Sequence, residues 1–156
     1  MSAFTLVYTR AAGVSPSNTV NIPFPNIVMD GINTSTVVNQ LVDNTVDFTA
    51  RGIKIGDTVK AIVGPTVQWA TVIGLGTTTL TLSADIFTTP GLDYFIYQGP
   101  NYGCYLYIGG TGNVSVQTIG GNSATFVGVP AGTTLPVQVI RVNSTGTTAT
   151  SIVALW

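Results

Sequence analysis

Apolar and polar positions alternate along much of this chain. In "FTLVYT" the side chains of Phe4, Leu6 and Tyr8 fall on one side, and in "NVSVQT" those of Val114 and Val116 do. A repeat of two residues is the signature of a pleated strand with one buried face. The segments "TVQWATVIG", "TTTLTLSA" and "LDYFIYQ" read as further short strands, separated by Gly, Pro, Asn and Asp turn signals. Val, Thr, Ile and Tyr, residues that suit a pleated surface, supply most of these positions. No long segment sustains a 3.6-residue apolar period. The best helical candidate, "STVVNQLV" (Ser35 to Val42), reads equally well as a strand. The pattern predicts an all-β fold.

Proline and glycine divide the chain. "SPSNTVNIPFPN" (Ser15 to Asn26) holds three prolines. Proline removes ladder donors, so this stretch reads as an extended arm or strand-linking loop rather than a central strand. A second seam lies at "YQGPNYG" (Tyr97 to Gly103). Between the seams, "GIKIGDTV" alternates Ile53, Ile55 and Val59 around a Gly56-Asp57 turn. About five short antiparallel strands there favour a small closed barrel, because closure removes exposed edges. The expected organisation is a discontinuous antiparallel β-sandwich (1–26 plus 103–156) with an inserted SH3-like barrel module (27–102). "FTLVYT" would pair with the C-terminal sheet.

Charge sharpens this division. Only 7% of the 156 residues are charged, and there is neither Glu nor His. Ordinary soluble domains carry roughly 25%. Arg51, Lys54 and Lys60, with Asp43, Asp47, Asp57, Asp85 and Asp93, lie in the middle segment, while the flanks are almost neutral. From Gly128 to Trp156 the sole charged side chain is Arg141. Solubility of a free monomer leans on charge, so this composition points to a chain that works within an assembly. A formal net charge of −1 gives no electrostatic case for nucleic acid or an anionic membrane. The apolar residues are interleaved with Thr, Ser, Asn and Gly, and no apolar run approaches the length of a membrane span. "MSAFTLVYTR" lacks the layout of a signal peptide.

Candidate chemistry is sparse. Without histidine, hydrolytic triads and His-based metal sites are excluded, and no metal or cofactor is expected. Cys104, the single cysteine, reads as a buried thiol acting as a small hydrophobe. "GGTGN" and "GLGT" neither open a helix nor precede Lys-Ser/Thr, so they read as turn glycines rather than a phosphate cradle. Asp43, Asp47 and Asp57 read as solvated loop acids in preference to an acid/base pair or Ca²⁺ site. Tyr94, Phe95, Tyr97, Tyr102, Tyr105 and Tyr107 gather near the second seam. Rings filling a junction are favoured over a carbohydrate- or nucleic-acid-stacking platform, and a nucleic-acid platform would want basic residues, of which none lies between Lys60 and Arg141. Trp156 reads equally as a core residue of the last strand or an anchor at a subunit contact.

Two resemblances refine the expectation. "DFTARGIKIGDTV", "ATVIG" and "TLTLSADIF", within Val42 to Tyr97, resemble small SH3-like modules of phage head and tail proteins. "VSPSNTVNIPFP" (Val14 to Pro25) and "CYLYIGGTGNVSVQTIGGNSATFVGVPAGTTLPVQVIRVNSTGTTATSIVALW" (Cys104 to Trp156) resemble the spike base family of tailed phages and gene transfer agents. In that family the two stretches lie close together, whereas here the middle module separates them. Asn18 stands where the family has Asp, and Gln138 where it has a basic residue. The resemblance implies a non-enzymatic virion protein, on the head surface in preference to the tail: a capsid decoration or cement protein, or the base of a head spike. Its implied partners are other copies of itself, as a trimer or pentamer, and the major capsid protein. Phe4, Tyr8, Tyr102, Tyr105, Tyr107, Arg141 and Trp156 are the candidate interface residues. The alternative is a tail or spike module that binds host-surface glycan.

Overall fold

The computed structural model describes residues 7–99 and 101–156. The described residues contain no helix, and thirteen strands form two antiparallel sheets. The chain divides into two compact units: a terminal unit of residues 1–22 and 101–156, and a central unit of residues 23–100. The expected joins were 26/27 and 102/103. Residues 23–26 run with the central unit, where the Gln98 amide donates to Asn26 O at 2.9 Å. Asn101 belongs to the terminal unit, where its carboxamide reaches Cys104 and Trp156.

The terminal unit is built from β1 (Ala11–Gly13), β9 (Cys104–Gly110), β10 (Gly112–Thr118), β11 (Ser123–Val129), β12 (Thr133–Val142) and β13 (Thr150–Leu155). They form one sheet in the order β1-β13-β9-β12-β10-β11. The expected sandwich is thus a single hydrogen-bonded sheet gathered over one core. β12 makes this possible by pairing on both sides: Thr133 to Leu135 and Val139 meet β9, Val139 to Val142 meet β10, and a bulge in the β9 ladder lies between Leu135 and Val139. Pro136 sits inside that bulge, where a missing N–H costs no ladder bond. Alternation does the rest, since Leu106, Ile108, Val114, Val116, Val139 and Ile152 all face one apolar cluster.

The "GGTGN" glycines have a packing reason. A Cβ on Gly112 would lie 2.6 Å from Ala149 Cα and 2.7 Å from Thr148 C. Only a residue without a side chain lets the start of β10 lie against the chain entering β13. Of "FTLVYT", residues 4–6, Phe4 included, lie outside the described residues, and Val7 to Arg10 are not strand. The strand that pairs with β13 is β1, beyond it. Thr9 and Arg10 instead hydrogen-bond around Trp156, their amides donating to its carbonyl. The proline-rich stretch is an extended arm: Ser17 and Ile22 donate to Val142 O and Ile140 O, and Ile22 enters the core.

The central unit holds β2 (Ile27–Ile32), β3 (Ser35–Val37), β4 (Gln40–Val42), β5 (Thr58–Val63), β6 (Thr66–Leu75), β7 (Thr79–Leu82) and β8 (Asp93–Tyr97). Their order is β2-β8-β5-β6-β7-β4-β3, with β2 and β3 as edges. Barrel closure would need those two strands to pair, and among the described residues they do not. The ambiguous "STVVNQLV" is the β3–β4 hairpin, turning at Val38-Asn39 with Asn39 at φ 58°. Asn tolerates that left-handed conformation and commonly occupies such turns. Leu41, Phe48, Val59, Val72, Leu80, Leu82, Phe87 and Ile96 make the core.

Candidate interaction surface

Strand alternation that buries one face of β9 and β13 must put their other residues outside. Leu106 and Ile108 point into the terminal core; Tyr105 and Tyr107 point away from it. The register then aligns their neighbours. Ala11, Leu155 and Tyr105 stand opposite one another across three strands, and Gly13, Val153, Tyr107 and Thr134 across four. Directly opposed residues share a face, so these rows form an apolar and aromatic outer surface on β1, β13, β9 and β12. Tyr8 extends it, its ring meeting Tyr105 edge to face with centroids 5.9 Å apart. Ala11, Gly13, Tyr107 and Thr134 are exposed, and Tyr8, Tyr105, Val153 and Leu155 are half-buried.

The surface lies in a unit with almost no charge. Arg10 and Arg141 are the only charged side chains in residues 1–22 and 101–156, whereas residues 23–100 hold Arg51, Lys54, Lys60 and all six aspartates. Arg141 does not join the aromatic rows. It stands opposite Gln117 on the β10–β12 ladder, and its guanidinium donates to Asn143 Oδ1 and to Asn21 Oδ1 on the arm. Tyr102, 79% exposed, sits in the loop before β9, outside the rows. Trp156 packs at the rim of the terminal core and donates its indole N–H to Asn101 Oδ1 at 3.3 Å. Of the seven candidate residues, the structure therefore brings together Tyr8, Tyr105 and Tyr107. Sequence reading missed Val153 and Leu155, because register, which no local pattern fixes, brings β13 beside β9.

The aromatic cluster expected at the second seam is divided. Tyr94 is wholly buried in the central core, while Phe95 and Tyr97 alternate with buried Tyr94 and Ile96 and lie on the opposite side of β8. There Asp30, Phe95, Lys60 and Trp69 form a row across β2, β8, β5 and β6. The Lys60 ammonium lies 5.5 Å from the Phe95 ring centroid and 5.8 Å from that of Trp69, a cation–π arrangement between cross-strand neighbours. Tyr97 stacks at a tilt 5.6 Å from Trp69.

Of the three acids expected as solvated loop groups, Asp47 is exposed, whereas Asp43 and Asp57 are 1% and 2% exposed. Asp57 accepts from the Lys54 and Gly99 amides, closing the turn before β5. Asp43 accepts from the amide and hydroxyl of Thr45 and from the Tyr94 phenol. Burial pushes the Asp43 carboxyl up, but those donors outweigh it and hold it below the usual carboxylate range. Both carboxylates thus have their oxygens occupied by donors of the central unit. Burial pushes the Cys104 thiol up to about 11, against a small opposing effect of Asn101, so it remains protonated at neutral pH. A protonated, enclosed thiol packs as a hydrophobe and is a poor nucleophile.

No protein-family model, curated protein or solved structure matches the chain. The likeness to the spike base family rests on the residues quoted for it.

Proposed function

We propose that the protein is a structural component of a tailed-phage virion, a capsid decoration or cement protein or the base of a head spike. It acts as a homo-oligomer bound to the major capsid protein. The observation that carries this reading is the uncharged aromatic face of the terminal unit: Tyr105, Tyr107, Val153 and Leu155 in register and Tyr8 against Tyr105, with Arg10 and Arg141 as the unit's only charged side chains. Covering such a face gains roughly 25 cal/mol for each Å² of apolar surface removed from water. With few ions nearby, little ionic desolvation opposes the gain. The phenol hydroxyls keep a polar tip for hydrogen bonds at the rim of a contact. The spike-base-like motifs coincide with this unit, which supports the same assignment.

A second reading follows from the central unit, where Trp69 and Phe95 flank Lys60 and Tyr97 packs on Trp69. Rings flanked by a cation and by Asp30 are the components of a glycan-binding face, which suits a tail or spike module. Immunogold electron microscopy of intact particles, with antibody against the purified protein, tests both. Gold over the head supports decoration or cement, and gold at vertices supports a spike base. Gold on the tail favours the glycan reading, and particles without gold, from cells rich in the protein, would end the virion reading.

A further inference from the structure

A sheet that does not close leaves unpaired backbone groups along its outer strands, and natural proteins blunt such edges by shortness, charge, proline or bulges. The four edges here differ in this respect. β1 and β3 are three residues long, and β2 carries Asp30 within six residues. β11 has seven residues, "SATFVGV", with no charge and no proline, and the whole hairpin from Gly112 to Pro130 is uncharged. Its one irregularity is an extra residue at Val127-Gly128, opposite Asn113, where Gly128 takes φ 62°. That bulge lies at one end and leaves Ser123 to Phe126 regular.

The phase of the ladder tells which groups are free. Ser115 O accepts from the Asn143 amide on the β12 side, and the Thr118 amide donates to Asn122 O on the β11 side. Odd residues of β10 therefore bond toward β12 and even residues toward β11. Val114 and Val116 stand opposite Phe126 and Ala124, so those two residues bond inward. Hydrogen-bonded positions alternate along an antiparallel strand. The N–H and C=O of Ser123 and Thr125 accordingly point away from the sheet, and among the described residues no strand meets them. Ser123, Ala124, Thr125 and Val127 are all exposed, Val127 to 79%.

We propose that this edge is a self-association site, in which β11 of one copy pairs antiparallel with β11 of a second copy across a two-fold axis at Ala124. In that register Ser123 of each copy lies opposite Thr125 of the other. Each such pair exchanges two backbone hydrogen bonds, giving four in all. Ala124 meets its own counterpart in the close, non-hydrogen-bonded position, where a methyl side chain fits. The two bulges stay outside the paired stretch. Ser and Thr hydroxyls meet across the strands on the outer face, and no like charges face each other at the axis. An edge of this kind needs an extended strand as occupant. This one is self-complementary, so a second copy satisfies every free group without another protein. The contact is two-fold, and a three- or five-fold ring would need a separate head-to-tail surface. The inference goes beyond the virion reading and stands whether or not the protein lies on a particle.

The test is sedimentation of the full chain over a concentration series. The native chain is expected to form dimers. Thr125→Pro removes an outward N–H while sparing the β10–β11 ladder, and Thr125→Lys sets two cations across the axis. Each should weaken dimerisation at least about tenfold with the circular dichroism spectrum retained. Ala124→Cys should cross-link copies on mild oxidation, because opposed Cα atoms in that position fall within disulfide reach and native Cys104 is enclosed. A monomer at all concentrations overturns the proposal. So does an oligomer that Thr125→Lys leaves intact, or a folded Ala124→Cys chain that does not cross-link. Gold labelling of particles with no β11 dimer would defeat this inference alone, and β11 dimers without labelling would defeat only the virion reading.

Discussion

The Tyr94 hydroxyl donates a 2.7 Å hydrogen bond to Asp43 Oδ2, joining residues 51 positions apart inside the central unit. Gly31 completes the arrangement. It stands opposite Tyr94 on β2, and a Cβ there would lie 2.6 Å from the phenol oxygen. The ring covers the glycine, a cross-strand device known to support Gly on edge strands. Burial first, and then the bond to Asp43, raise the Tyr94 pKa, so the phenol remains a donor at any working pH. Tyr94→Phe keeps the ring and leaves the buried carboxylate one donor short. The expected loss is about 1–3 kcal/mol, read as a lower midpoint in urea unfolding. An unchanged midpoint would mean the bond is energetically idle.

Asp43 also sets a pH dependence. A carboxyl depressed in the folded state contributes stability that is fully present above its unfolded pKa of about 3.9. That contribution disappears as pH falls through the lower folded value. Asp47 shifts the same way, through the Thr49 hydroxyl and the Ala50 amide, so acid destabilisation as a whole is not diagnostic. The difference is: Asp43→Asn should be less stable than the native chain at pH 7, and the gap should narrow below about pH 4. Thermal melts from pH 7 to pH 3 measure it, and a gap of constant size would contradict the assignment.

Gly112 and Gly13 form a matched pair. A methyl group at Gly112 meets the backbone at Thr148 and Ala149, whereas at Gly13 it meets nothing within 4 Å. Gly112→Ala should cost about 1–3 kcal/mol and Gly13→Ala close to nothing. Equal melting temperatures for the two variants would show that the start of β10 can move aside freely.

Cys104 should be silent to thiol reagents in the native protein. Its sulfur is buried and donates toward Val139 O, and its pKa is pushed up to about 11. An aromatic disulfide reagent at pH 8 should label it only after denaturant is added. Rapid labelling of the folded chain would expose an opening of the terminal core that the packing does not suggest.

Tyr107→Glu tests the aromatic face. Tyr107 is exposed on β9 and is not part of the core cluster, so a charge there should leave the unfolding free energy within about 0.5 kcal/mol of native. It should nonetheless abolish incorporation into particles, scored by the protein content of purified virions. Normal incorporation would remove this face from the proposed capsid contact.

Strand character and the identity of buried positions were legible locally. Val114 and Val116 alternate and are buried, and the prolines of the arm keep residues 14–26 out of the ladders. Alternation announces itself because a pleated strand with one wet face repeats every two residues whatever it pairs with. The two-way split was legible too, as a step in charge. Polar burial was not: Asp43 and Asp57 look like loop acids until Tyr94 and the Gly99 amide, both far along the chain, supply their hydrogen bonds. The same holds for the candidate surface. Tyr105 and Tyr107 were visible as outward residues of one strand, but Leu155 and Val153 join them only through register with β13. The free edge of β11 likewise follows from strand order. The sequence by itself determined which apolar residues turn inward and where charge is withheld, since each depends on a residue and its near neighbours. Tertiary structure alone decided which strands lie side by side, because pairing joins positions distant in the chain and is chosen by the packing of the whole sheet.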